Sequence, residues 1–472
     1  MAFLKILRAE LPHFINSPSV LNAHSLSIFI QQRLSAPARD AKWRALARLL
    51  QRPWFHRMWT IQEAVLSADK LLFHCGKREI PFFDIWDVFC LLQGANAIGL
   101  LLPEIQDPFD AQAPPQAFLQ ITLIVGLQYE VTYQNTEYVD SFGLEEAILH
   151  CSRALATNPR DHIYGVYGIV SDATDEELKA DYGAPVEEIY VKTTKYLISR
   201  NKSLRLLSDS GIYAPSRLDV PSWVPNYNIR RESTRLGFEF YTASGTRSPE
   251  MRWDTTTNHL TASGLNLDDI CSSSSQNLPL TAKITTEDIR VWYEAAQLLL
   301  STYNSSAEHD TKISTEALWT TLMTGRFVNK DTYEKVGPDY GVAFDAFHQY
   351  ITRRDDFEGL YLHEWDTEDP IKKPLMAIFK KALEFYTVAV KSWLGRKIVA
   401  TKKGTLAFVP LGTEVGDQIG IILGARTPFV LRQGENGSEF EGKFRLVGEC
   451  YVYGLMHGEG LELGHVQDIV IY

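Results

Sequence analysis

An α+β fold is predicted by three features of this sequence. Apolar residues recur at helical spacing through the first two hundred or so positions and again from about Thr285 to Trp393. Short apolar runs, bounded by Gly404, Gly412, Gly416, Gly424 and Gly442, crowd residues 395–472. At 472 residues the chain is long for one core. We therefore expect three parts: a mixed front region over 1–213, a mainly helical middle over 214–394, and a small antiparallel β unit over 395–472.

The elements follow in order. Between Arg33 and Arg57, the residues Arg39, Lys42, Arg44, Arg48 and Arg52 alternate with Trp43, Leu46, Leu49 and Leu50. That pattern is a helix with a solvated basic face, or more sharply an anion-binding surface. A second helix carries the stripe Trp54, Met58, Ile61, Val65, widened by Phe55, Trp59, Gln62 and Leu66. At about 100° per residue Glu63 falls just outside this stripe, near Trp59. Spacing alone makes it an ordinary solvated carboxylate; the sharper reading places it at the rim of a cleft with the Trp59 indole as a wall. A strand Lys70–Cys75 closed by Gly76, a return Ile80–Phe83 and a helix capped by Asp84 come next. Val88–Pro103, broken by Gln93 and Asn96, suits a buried helix and is too short to span a bilayer. After a loop at Pro103–Pro115, helices are expected at Phe118–Tyr129 and Leu144–Thr157. Asn158 suits a cap, Pro159 a first helical position and Asp161 the positive end of a helix, so this block has a complete structural rationale. Pro185, Glu187 and Glu188 open another helix, with Ile189, Lys192 and Tyr196 on its face.

Further on, Gly237–Thr242 and His259–Ser263 read as strands and Ser273–Ser275 as an exposed loop. Helices are expected at Val291–Tyr303, Thr315–Thr324, Tyr340–Ile351 and Ile371–Trp393. His363, Glu364, Asp366 and Asp369 make an acidic loop without a helical His-x-x-x-His frame, so no metal is assigned. The final strands are Lys397–Thr401, Thr405–Val409, Gln418–Leu423, Phe429–Arg432 and Phe444–Tyr453. Arg432 and the turn His457–Gly460 lie at their ends, where binding is conceivable. Turn chemistry accounts for those glycines equally well, and for His457 and His465 without a metal.

The balance of 47 basic and 58 acidic residues, a net charge of −11, gives no electrostatic support for nucleic-acid binding. Cys75, Cys90, Cys151, Cys271 and Cys450 form no C-x-x-C pair, which fits buried free thiols in a reducing compartment. No signal-peptide pattern opens the chain and no membrane span is expected, so a cytoplasmic protein is the default. The nucleophile elbow, Walker A loop, dinucleotide fingerprint and zincin motif are all missing, so whether the chain is an enzyme stays open.

Four blocks carry a resemblance. Arg57, Trp59, Gln62 and Glu63 form R-x-W-x-x-Q-E; Pro159, Arg160, Asp161, Ile163, Tyr164 and Gly168 form a Pro-Arg-Asp block; Ala180–Ile198 holds an Asp-Tyr and Glu-x-x-Tyr segment; Leu218–Asn228 holds Pro-Ser-Trp-Val-Pro. With Val415–Arg432 and Leu446–Gly460, these resemble fungal heterokaryon-incompatibility (HET) domain proteins. The opening A-L-S-Y-x-W-G and W-I-D-x-x-C-I-N-Q elements of that domain do not occur, which suggests an N-terminally incomplete member with an uncovered sheet edge open to pairing. The resemblance implies an incomplete TIR-like α/β remnant at the front. It implies self/non-self recognition and cell death inside the fungal cell through protein contacts, self-association included, with no required cofactor. Its catalytic alternative is a TIR-like NAD glycohydrolase, NAD being the substrate. Trp59 and Glu63 match that spacing, with Thr60 where a cysteine would stand, and Glu63 would stabilise an oxocarbenium-like transition state.

Overall fold

A computed structural model describes residues 36–67, 70–94, 116–133, 143–212, 218–229, 235–236, 240–279, 284–307, 309–329, 332–357 and 368–472. Several expectations lie outside them: the loop Pro103–Pro115, the first half of the Gly237–Thr242 strand, and His363, Glu364 and Asp366; the described half of that strand, Phe240–Thr242, is not extended into a strand. Contacts divide the chain into two compact units, Met1–Ala184 with Thr281–Lys283, and Pro185–Leu280 with Ile284–Tyr472. The division differs from the expected three parts: strands on either side of the expected 394/395 boundary pair with one another.

In the first unit, α1 (Ala36–Leu50) buries Leu46, Ala47 and Leu50 and exposes Arg44 and Arg48, the solvated basic face. Helix α2 (Met58–Ser67) buries Met58, Ile61, Ala64 and Val65. Strands β1 (Leu72–Cys75) and β2 (Arg78–Pro81) make an antiparallel hairpin, turned at Gly76 with φ +62°. Helix α3 (Phe82–Gly94) begins two residues before the expected cap: the Phe82 amide already bonds Leu71 O, and Asp84 sits buried inside the helix. Helix α4 (Gln116–Tyr133) follows. Helix α5 (Leu144–Cys151) stops short of the expected Thr157, because Leu155 leaves to bridge residues 56–58: its amide donates to His56 O and its carbonyl accepts from Met58 N. The short turn α6 is Asp161–Tyr164.

The mixture of helix and strand agrees with the expected α+β class. A TIR-like remnant needs a parallel sheet, and the described strands of this unit form only the β1–β2 hairpin, with parallel pairing limited to the Arg57–Leu155 bridge.

The second unit begins with α7 (Val186–Asn201), β3 (Met251–Trp253) and the fourteen-residue β4 (Leu260–Ser273), far longer than the expected piece ending at Ser263. Ser273 closes that strand and Ser274 is buried, so the exposed loop expected at Ser273–Ser275 begins only at Ser275 and runs through Asn277. Helices α8 (Thr286–Ser305), α9 (Thr315–Leu322), α10 (Asp339–Thr352) and α11 (Lys372–Trp393) match expectation; a small hairpin, β5 (Arg326–Asn329) and β6 (Thr332–Lys335), separates α9 from α10. Thr285 and Asp288 close a capping box on α8. Asp369 accepts from the Ile371 and Lys372 amides at the start of α11, which lowers its pKa, as a helix cap does.

Strands β7 (Arg396–Thr401), β8 (Leu406–Pro410), β9 (Gln418–Ile422), β10 (Phe429–Gln433), β11 (Phe444–Glu449), β12 (Tyr451–Val452) and β13 (Gln467–Ile471) complete a nine-stranded sheet. It closes on itself because β4 pairs in turn with β13, β9 and β7. The C-terminal strands are thus not a separate unit: β3 and β4 belong to their sheet. Alternation along each strand sorts the side chains. Ile270, Val399, Ala407, Val409, Ile419, Val430, Val447 and Val452 meet in one interior cluster. Ile398, Ala400, Leu406 and Phe408 point the other way and pack on the helices through Trp292, Phe347, Phe385 and Trp393.

Candidate functional site

The motif residues of the first unit converge on Asp161. Its side chain accepts from the Trp59 indole (Nε1 to Oδ2, 2.9 Å) and from the Tyr182 hydroxyl (Oη to Oδ1, 2.8 Å), joining α2, the Pro-Arg-Asp block and the following Asp-Tyr segment through one buried carboxylate. Beside it the Tyr164 hydroxyl donates to Asp181 O at 3.2 Å and accepts from Asp181 N at 3.1 Å. Arg160 clamps Ala184 O through Nε and a terminal nitrogen at 3.0 and 2.6 Å, and Asn158 Oδ1 accepts from the Arg160 amide at 3.1 Å. Pro159 stands between them at the start of the turn.

Gln62 completes the contact from α2: its Oε1 accepts from the Gly168 amide at 3.2 Å. A Cβ on Gly168 would lie 2.7 Å from the Gln62 carboxamide, so the glycine is what lets the two approach. Arg57 acts through its backbone, accepting from Thr60 Oγ1 at 2.7 Å and Gln120 Nε2 at 3.1 Å, while its side chain is exposed.

The electrostatics follow from this wiring. The Tyr182 phenol is pushed up to about 12, first by burial of its hydroxyl end and then by the hydrogen bond to, and charge of, Asp161. Burial also raises Tyr164. Both phenols are therefore held neutral, as donors to fixed acceptors. This is the chemistry of a joint. Glu63 stands apart from it: its side chain is exposed, one turn from Trp59, whose indole faces Asp161 rather than the glutamate. Of the two residues proposed as a catalytic pair, Trp59 directs its indole N–H to Asp161 and Glu63 is exposed.

In the second unit the expected binding ends have internal partners. Arg432 pairs with Asp417 at 2.8 Å and Glu414 at 2.9 Å, and donates to Gly412 O at 2.7 Å. His457 packs against the Phe240 and Tyr241 rings, and burial lowers its pKa. His465 is exposed, and no cluster among the described residues has the side chains to hold a metal. Sequence reasoning missed the buried ion pair Arg396–Glu449, at 3.1 Å with both side chains essentially inaccessible. It also left Tyr182 unassigned, although the Asp-Tyr segment had pointed to its neighbourhood.

Comparison with known proteins agrees with this architecture. Residues 293–469 match the family model of the Het-6 beta-barrel domain. The chain is 23% identical over 487 aligned residues to heterokaryon incompatibility protein 6, OR allele, of Neurospora crassa, an alignment covering 90% of this chain and 67% of the relative. No solved structure matches.

Proposed function

We propose that this chain, which carries a match to the Het-6 beta-barrel domain and is similar over most of its length to a fungal heterokaryon incompatibility protein, acts in self/non-self recognition through protein contacts, with arrest or death of the cell as the output. The observation that carries this reading is the fate of the motif residues. Trp59, Gln62, Arg160, Asp161 and Tyr164 spend their polar groups on one another and on nearby backbone, so the motif builds the module, which favours a role through contacts over one through catalysis by these groups. Cytosolic action accords with the free thiols at Cys90, Cys151, Cys271 and Cys450, of which Cys151 and Cys450 are buried as expected while Cys90 is exposed and Cys271 partly so.

Expression in a fungal host, scored as growth arrest on pairing with strains that carry different alleles of related proteins, tests the proposal. Arrest should depend on the partner strain and survive Glu63→Gln, and Asp161→Asn should weaken it by loosening the joint. Loss of arrest in a folded Glu63→Gln protein, accompanied by nicotinamide release from NAD by the unaltered chain alone, would overturn the contact-based reading in favour of hydrolysis. A fluorescent fusion that partitions outside the cytosol would remove the compartment assignment.

A further inference from the structure

Asn436–Gly437 is the one place in the sequence where glycine follows asparagine. It lies in the connection between β10 and β11, and both residues are exposed. Ser438 N donates to Glu435 O at 3.1 Å, and Gly437 takes the third position of this turn with φ +78°, as a type II turn requires. The Asn436 carboxamide has no hydrogen-bond partner among the described residues, so it can rotate against the backbone. A Cβ on Gly437 would meet nothing within 4 Å, which leaves room for a ring to close there. The Gly437 amide itself donates to Glu441 Oε2 at 3.0 Å. Asn304, which precedes Ser305 at the end of α8, is the contrast: its Nδ2 donates to Ile313 O at 2.9 Å and its Oδ1 accepts from Ile313 N at 2.8 Å. Asparagine is a chemically labile residue, and its lability depends on how firmly its amide and the next nitrogen are held.

We propose that Asn436 is a self-modification site, at which the Gly437 nitrogen displaces ammonia from the side chain, and that Glu441 sets the rate as a latch on that nitrogen. Water is the co-reactant. The Gly437 nitrogen bonds to Asn436 Cγ, gives up its proton to solvent and expels the carboxamide nitrogen as ammonia, leaving a cyclic imide. Water then opens the imide at either carbonyl. One opening yields aspartate; the other yields isoaspartate, with the main chain running through the side-chain carbons. Glycine suits the second position because it has no Cβ to obstruct closure. The latch acts on the first step: the nitrogen must leave its turn geometry and lose its proton, and the bond to the Glu441 carboxylate opposes both. Conversion adds one negative charge to a chain already at −11, in a turn that carries Glu435, Glu439 and Glu441. None of this depends on the recognition role.

The test follows the full chain through incubation at mildly alkaline pH, by digestion and the mass of the peptide holding residue 436, with the aspartate and isoaspartate forms separated by chromatography. Asn436 should convert to both forms while Asn304 stays intact. The same chain unfolded in guanidinium should convert about tenfold faster at residue 436, the factor a hydrogen bond to a charged group supplies. Glu441→Ala should bring the folded chain close to that faster rate without lowering its unfolding temperature, since the side chain is exposed. Glu441→Gln keeps an acceptor and should stay slow. An unmodified Asn436 in the folded chain, over the time in which the unfolded chain converts, would overturn the site. Aspartate without isoaspartate would overturn the imide route in favour of direct hydrolysis. Equal rates in Glu441→Ala and the unaltered chain would overturn the latch. The first two outcomes need no variant to fold.

Discussion

The Asp161 joint and the β-barrel hold their parts together by different means. In the joint, groups about a hundred residues apart in sequence meet through single hydrogen bonds: the Trp59 indole to the Asp161 carboxylate, and the Gly168 amide to the Gln62 side chain. In the barrel, backbone ladders close the sheet, and the apolar residues of seven strands fill it. The difference shows where sequence identity matters. A joint built on side-chain polar groups depends on particular residue types, which is why it leaves a motif. A barrel depends on pattern and space, and tolerates any apolar set of suitable volume. Substitutions can therefore break the barrel hard at a few points where pattern does not suffice, and should loosen the joint by smaller steps.

The largest effect is expected at the buried ion pair. Arg396 and Glu449 have side chains exposed by 0% and 1%, and Glu449 Oε1 also accepts from the Leu236 amide at 3.0 Å. Glu449→Leu strands the guanidinium charge in the interior and should cost about 3–5 kcal/mol in urea unfolding. The double variant Glu449→Leu with Arg396→Met removes both charges and should recover much of that loss. Equal destabilisation of the two proteins would mean that the backbone contact to Leu236, not the unpaired charge, dominates.

Next is Gly264, on β4. A Cβ there would stand 2.6 Å from Ile421 O and 2.5 Å from the Ile469 side chain, and the carbonyl belongs to the β4–β9 ladder and cannot step aside. Gly264→Ala should therefore cost about 3 kcal/mol, the upper end for overpacking. The same measurement made by thermal unfolding should show a lowered midpoint with the native sheet signal retained below it.

In the joint, Asp161→Asn keeps one acceptor but turns an amide toward the second donor, at a cost of about 2 kcal/mol. The effect is also legible in titration. Tyr182 ionises at about 12 in the fold against an ordinary 10.0. Its contribution to stability is thus complete below pH 10 and is lost as the pH rises toward 12, because the unfolded phenol ionises first. Removing the Asp161 charge should lower the Tyr182 value, yet leave it above 10.0, since burial is the larger cause. Ultraviolet titration of the tyrosinate band, with Tyr182→Phe as reference, measures this directly. An unchanged Tyr182 transition in Asp161→Asn would mean that the pair does not communicate.

Much of the barrel was legible because its strands combine alternating apolar residues with glycines at the turns. The expected strand Lys397–Thr401 is observed as Arg396–Thr401, and Gln418–Leu423 as Gln418–Ile422. What escaped is instructive. The last nine residues of β4 read LNLDDICSS, a polar mixture, because the strand changes partner along its length instead of presenting one face to one core. The hairpin β5–β6 is charged, and β6 is exposed throughout, so no periodicity marks it. At the joint, the resemblance found the residues and helical geometry put Trp59 and Glu63 side by side. Neither could say which flank of α2 meets solvent. That depends on Asp161, 102 residues away, which takes the indole and leaves the carboxylate outside.

The smallest effect, and the sharpest contrast with the barrel, is expected at Gly168. A Cβ here meets Gln62 at 2.7 Å, a contact as close as those at Gly264. The obstacle is the end of a flexible side chain near the surface, so it can swing away. Gly168→Ala should cost about 1 kcal/mol or less, the net value of the lost hydrogen bond from the Gly168 amide to Gln62. It should also be non-additive with Gln62→Ala, because once the carboxamide is gone the methyl has nothing to displace. Urea unfolding of the two single variants and the double variant tests this. A cost at Gly168 that matches Gly264, or that adds fully to Gln62→Ala, would show the joint to be as rigid as the barrel.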